Sequence, residues 1–186
     1  MENTMVSHNS DSALITNIVQ IELEMFKSVN SSTHSPCQDN LKTFQLMRWM
    51  HYSALPEYFL ESYLDDLQTA QSADRNFMTE KYARMENKIP PLSTSPLIEN
   101  IANTEISWMR DVATLFPKIF RGNGEGFQRY ISCELEVLSD RSLELLWKAV
   151  SKARTEGRNL VRERYENLFR KLGYASLAER EASIPA

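Results

Sequence analysis

Six ionisable residues sit at positions where their types and spacing could do chemistry. Glu22 lies three and four residues from Ile18, Val19, Met25 and Phe26, inside an apolar stripe of helical period. Glu105 is set the same way among Ile101, Trp108, Met109 and Val112, and Glu134 among Tyr130, Ile131, Leu135 and Leu138. Glu80 and Glu163 each follow an Arg-Asn pair, Arg75-Asn76 and Arg158-Asn159, and His51 completes the set. A carboxylate facing a core is costly unless a cation pairs with it or it holds a ligand. Three chemistries answer that cost. Arg48, Arg75 and Arg158 can pair with Glu22, Glu80, Glu105 and Glu163 in an ion network that fixes helix register.

Alternatively, the same residues line a pocket for a polar small molecule. Arg75, Arg158 and Arg48 would then hold a substrate carboxylate, with Asn76, Asn159 and Tyr82 orienting it. Glu80 would act as catalytic base, with Glu22 and Glu105 as a second acid/base pair. In the third reading Glu22, Glu80, Glu105, Glu134, Glu163 and His51 ligate divalent metal, since bundle proteins hold paired ions by inward carboxylates and histidines on separate helices. The Glu-x-x-His pair of such centres is missing. A carboxylate-rich set would suit Mn or Mg as well as Fe, with Zn also in range.

The elements that must position these residues are helices. Residues 18–88 align without a gap on 101–171, about a fifth of the positions being identical. The matches include Ile18 with Ile101, Glu22 with Glu105, Phe44-Gln45 with Phe127-Gln128, Leu60-Glu61 with Leu143-Glu144, Arg75-Asn76 with Arg158-Asn159, Glu80 with Glu163 and Tyr82 with Tyr165. Under this shift Glu134 is the mate of His51. The spacing predicts one all-α domain over 1–186, a bundle of about six main helices in two pseudo-symmetric three-helix repeats, 12–88 and 96–173. In each repeat the third helix is expected to be long, from Glu57 to about Asn87 in the first. KIPPLSTSP, residues 88–96, is the strong breaker, so 88–95 is the linker.

Bulk properties narrow the function. With 42% hydrophobic and 25% charged residues the chain reads as an ordinary globular protein. A net charge of -4 argues against a nucleic-acid binder. The basic stretch Lys148 to Lys171 is interleaved with acids and reads as a solvated helix face. No apolar run is long enough to span a membrane, residues 1–12 lack a secretory core, and two cysteines make no disulfide framework, so the cytoplasm is the expected compartment. His34-Ser35-Pro36-Cys37 lacks the further ligands a zinc site needs. Trp49, Tyr52, Tyr58, Phe59 and Tyr63 crowd one helix junction and read as core.

The words IELEMFKSVN, CQDN, TFQLMR, RNFMTEKYARME, EISWMRDVA, CELEVLS and GRNL are similar to those of a helical domain family of unknown function found in bacteria and fungi. EKYARM, Glu80 to Met85, is the most specific. The resemblance spans nearly the whole chain, and its analogous positions include Glu22, Cys37-Gln38, Phe44, Arg48, Arg75-Asn76, Glu80, Tyr82, Arg84, Glu105, Trp108 and Glu134. It implies a domain with a defined polar interior and supplies no activity. Taken together, the residues point to a small enzyme acting on a polar metabolite, a tailoring or biosynthetic step, with a homodimer as one arrangement open to it. The alternative is a non-catalytic binding or scaffolding protein whose Glu-Arg pairs are structural.

Overall fold

A computed structural model describes residues 13–29, 40–121 and 126–185, and its described residues are all-α. The helices are α1 (Ala13–Lys27), α2 (Leu41–Tyr52), α3 (Glu57–Ser72), α4 (Phe77–Met85), α5 (Pro96–Leu115), α6 (Phe127–Leu135), α7 (Asp140–Thr155), α8 (Leu160–Lys171) and α9 (Leu177–Ser183). The His34–Cys37 group and the Ser10–Ser12 cap fall outside the described residues.

Side-chain caps set most of the helix starts. Asn40, Ser95 and Ser139 accept from the N–H two or three residues on, and Pro96 occupies the first turn of α5, where its missing N–H costs nothing. Each helix then buries one stripe. α1 buries Ile15, Ile18, Val19, Leu23, Met25 and Phe26, and α5 buries Ile98, Ile101, Ala102, Trp108 and Val112, all in one core.

The long third helix expected in each repeat is in fact two helices. α3 ends where Asp74 turns left-handed at φ 54° and the Arg75 N–H reaches back to the Ala70 carbonyl at 2.8 Å. α7 ends the same way at Gly157, φ 67°, with the Arg158 N–H on the Ala153 carbonyl at 2.9 Å. Both are Schellman closures, which satisfy the last carbonyls and stop the helix. The next residue, Asn76 or Asn159, caps the following helix through its Oδ1 at 2.9 Å. Hydrophobic period continues across the break, which is why the sequence reads as one helix there. Gly157 and the two asparagines are the signals that outweigh it.

α1 packs on α2, α3 and α4, while α5 packs on α6, α7 and α8. The two sets join where α3 crosses α7, α2 meets α8, and α4 meets α6. Ser62 and Ser142 share a buried hydrogen bond of 2.8 Å at the first crossing. The segment after α4 is strapped down. Glu136 takes Arg84 in two bonds of 2.6 and 3.0 Å and the Leu92 N–H at 3.1 Å, while Arg129 covers the carbonyls of Arg84 and Met85. α9 is fixed by Glu181, which accepts the N–H groups of Lys118 and Ile119 at 2.9 and 3.0 Å.

The asparagine caps also reach outside their own helices. Asn76 Nδ2 donates to the Met25 carbonyl of α1 at 2.9 Å, and Asn159 Nδ2 to the Trp108 carbonyl of α5 at 3.1 Å. Loss of such a cap costs about 1 kcal/mol, and loss of the cross-helix bond adds to it. Asn159→Ala is therefore expected to lower the thermal midpoint by about 3–6 °C in a calorimetric melt. Asn159→Asp, which keeps the capping oxygen, should recover part of that loss.

Candidate functional site

Glu22 has no exposed surface, and the elements around α1 are arranged to satisfy it. α2 supplies Arg48, whose Nε lies 2.8 Å from one carboxylate oxygen and whose second terminal nitrogen contacts the other. Tyr52, one turn on, donates at 2.6 Å, and Tyr63 of α3 donates at 2.7 Å. Arg48 also contacts the Tyr52 hydroxyl. Four donors therefore converge on one carboxylate, about its full acceptor capacity. Arg48 extends further, contacting Glu134 of α6 at 2.5 Å, and Lys81 of α4 meets the other Glu134 oxygen at 2.8 Å.

Glu105 is held separately. Arg164 of α8 forks onto its two oxygens at 2.7 and 2.8 Å. Among the described residues the buried ionised groups are thus three carboxylates, Glu22, Glu105 and Glu134, and three cations, Arg48, Lys81 and Arg164. Their formal charges cancel. Burial by itself would push the Glu134 carboxyl up, but Arg48 and Lys81 overcome it and hold the group well below the usual carboxylate range. Desolvation, then Arg48 and Glu22, shapes the Tyr52 hydroxyl, which is pushed well above its ordinary value; Tyr63 is raised by burial and by Glu22.

Between the two ion groups lies a cavity of about 20 Å³, lined by His51, Tyr52, Tyr63, Glu105, Glu134 and Arg164 together with apolar side chains. That is room for about one water and none for a metabolite. This one cavity is therefore too small for the polar metabolite that the inward Glu, Arg and Asn residues suggested.

The remaining residues singled out in the sequence are elsewhere. Glu80 and Glu163 do not point inward with Glu22 and Glu105. They pair near the surface with Arg75 and Arg158, each in two bonds of 2.7 and 2.8 Å. Arg precedes the cap and Glu occupies the fourth helical position, so each pair staples its helix start as apolar residues do in other helices. Asn76 and Asn159 spend their amides on capping and on the neighbouring helix, as described above. Tyr82 packs against Phe26, with ring centroids 6.1 Å apart, and Lys81 lies over its face. Glu22, Glu80, Glu105, Glu134, Glu163 and His51 therefore do not converge as one ligand set. Among the described residues no three His, Cys, Asp or Glu side chains are grouped to hold a metal ion.

Sequence reasoning passed over Lys81 and Arg164, which carry two of the three buried positive charges. A signal was present. Glu80-Lys81-Tyr82 aligns with Glu163-Arg164-Tyr165, so a cation recurs between two matched residues, and Leu160, Arg164 and Leu168 fall on one helical stripe.

A second opening lies on the surface, with room for about 750 Å³. One wall is the α2–α3 turn, Ser53 to Pro56, with Tyr58; the other is the C-terminal half of α7 and the length of α8. Leu55, Ala149 and Leu160 contribute apolar surface, and Lys152, Arg158, Arg162 and Arg170 contribute positive charge. The basic face that reads as solvated in the sequence is thus one side of a groove. Asn167 bonds the Ser53 carbonyl and hydroxyl at 3.2 Å, tying the two walls together.

The chain belongs to the family described as "Protein of unknown function (DUF4125)", whose model matches residues 12–182. Among curated proteins and among solved structures, none matches it. No helix among the described residues is long and apolar enough to cross a membrane.

His51 gives the site a measurable pH signature. Loss of water around the ring, then the Arg164 and Arg48 guanidiniums, with Lys81 also near, hold it well below its ordinary value, Glu134 opposing only in part. The folded state thus binds its proton less readily than the unfolded state, whose histidine titrates near 6.5. The contribution is fully present above about pH 6.5 and is lost as pH falls below it. Between pH 7 and 5.5 the thermal midpoint should drop by the equivalent of about 1 kcal/mol, and His51→Gln should flatten that limb. An equal slope in the variant would assign the titration elsewhere.

Proposed function

We propose that the chain is a ligand-binding helical protein that takes up a polar, anionic small molecule in the groove along α8, and that its buried ion pairs are the frame holding that groove. The observation that carries the reading is the groove itself, whose volume falls within the range of small-molecule sites while the interior cavity does not. Its cations also support it. Lys152 lies 3.8 Å from Glu156, and Arg162 and Arg170 each lie 3.9 Å from Glu166, too far for hydrogen bonds. The lysine and the two arginines are themselves solvent-exposed, and cations held so loosely gain little from these acids and can turn to a better partner. Arg158 is committed to Glu163 and Glu156 and serves the groove as a rigid positive edge.

Binding without turnover fits the acids of the groove. Glu163 is held by Arg158, Glu156 is shared by Arg158 and Lys152, and Glu166 accepts the Leu177 N–H at 3.0 Å. None is placed as an unpaired, desolvated base.

In the same reading the frame is a single domain of two repeats about a pseudo-twofold axis. α7 begins 83 residues after α3 with the same length, α8 begins 83 after α4, and the Asn76–Met25 and Asn159–Trp108 bonds differ by 83 at both ends. The packing pairs α2 with α8 and α4 with α6, as such an axis requires.

Titration with citrate and with inorganic pyrophosphate, against glucose as a neutral control, tests the groove. The anions should raise the thermal midpoint and bind with measurable heat, and Arg162→Ala with Arg170→Ala should abolish both at unchanged helix content. Anion binding that survives the double substitution, or none in the unaltered protein, would contradict the proposal.

A further inference from the structure

The groove between α8 and the α2–α3 turn has a counterpart at the 83-residue shift, between α4 and the α6–α7 turn. Asn167 and Ser53, which tie the walls of the open groove, become Arg84 and Glu136, which tie the walls of the other. The counterpart is occupied by the chain itself. After α4 the backbone turns through the left-handed Asn87, φ 57°, and the run Ile89-Pro90-Pro91-Leu92 lies against the tie. Arg84 Nη1 donates to the Ile89 carbonyl at 2.9 Å, and Glu136 accepts the Leu92 N–H at 3.1 Å. Two prolines favour an extended course, so the occupant is a short stretch of extended peptide held through its backbone.

The second half leaves the same place open. α8 has 12 residues where α4 has 9, so it runs about one turn further before closing at Gly173. The chain then turns away, with Tyr174 packed on Phe169 and α9 docked on Lys118 and Ile119. None of residues 172–178 lines the groove. Charge differs as well. Lys152, Arg162 and Arg170 of the open groove stand where the other half has Thr69, Thr79 and Asn87, which are neutral.

We propose that the ligand of the groove is a short acidic peptide, laid against α8 in extended form as residues 89–92 lie against α4. Asn167 lines the groove and bonds Ser53 through Nδ2 alone, which leaves Oδ1 to accept a backbone N–H as Glu136 accepts that of Leu92. Lys152, Arg162 and Arg170 supply the charge that the side-chain carboxylates need. This occupant rests on the anion groove proposed above and names the class of anion.

Calorimetric titration of the full chain with acetyl-tetraglutamate-amide tests it. Two control peptides are compared with it, the tetraglutamine analogue and a tetraglutamate N-methylated at every amide. Each control should bind at least about tenfold more weakly, the first for want of charge and the second for want of backbone N–H groups. Arg162→Ala with Arg170→Ala should abolish binding of the glutamate peptide at unchanged helix content. Equal affinity for either control, or peptide binding that survives the double substitution, would overturn the inference. Citrate binding without peptide binding would overturn it too and leave the anion groove standing, whereas failure of citrate, pyrophosphate and peptide alike would remove both.

Discussion

Arg48 contacts two carboxylates on different helices, and most of the interior follows from how that one guanidinium is shared. Its fork closes on Glu22 of α1, and the same terminal nitrogen reaches Glu134 of α6. Three helices, α1, α2 and α6, are thereby referenced to a single planar group on α2. Lys81 supplies the charge that Glu134 would otherwise lack and brings in α4. A buried guanidinium tolerates little change in geometry, because each misplaced bond leaves a desolvated charge uncompensated. The shared arginine therefore acts as a register pin for the bundle.

Ion pairs of this kind contribute specificity more than net stability, since the desolvation of six charged groups offsets much of their attraction. The apolar stripes supply the favourable burial, and the polar centre selects one arrangement of them. The helix starts repeat that logic at the periphery, where Asn76 and Asn159 cap α4 and α8 while bonding the backbones of α1 and α5. A frame pinned both at its centre and at its helix starts can hold a rigid groove on its surface. The walls of that groove, the α2–α3 turn and α8, are joined by Asn167.

Much of the frame was legible in the residues. The 83-residue shift and the inward stripes of α1 and α5 follow from periodicity, and Glu22 and Glu105 are buried because those stripes leave them no other face. Glu80 and Glu163 were misread for a local reason. With α3 and α4 taken as one helix, the start of α4 is hidden, and an acid at its fourth position looks like an interior carboxylate instead of half of a staple. Lys81 and Arg164 were hidden by the habit of assigning lysine and arginine to solvent, although their long stems let a helix bury them when an acid waits at the far end. The groove was illegible for a different reason. Its walls come from residues 53–58 and 149–170, and only the packing of α2 against α8 brings them together.

If the buried charges are a frame, as proposed, the Glu105–Arg164 pair carries the clearest signature, because neither member has another ionic partner among the described residues. Thermal and denaturant unfolding of Glu105→Leu, Arg164→Met and the double variant would be compared in a mutant cycle. Each single substitution should destabilise by about 3–5 kcal/mol, by leaving one buried charge alone, and the double variant should recover most of the loss. A single Glu105→Leu substitution that leaves stability unchanged or raises it would contradict the account, since that is the behaviour of a carboxylate kept for chemistry at the expense of the fold.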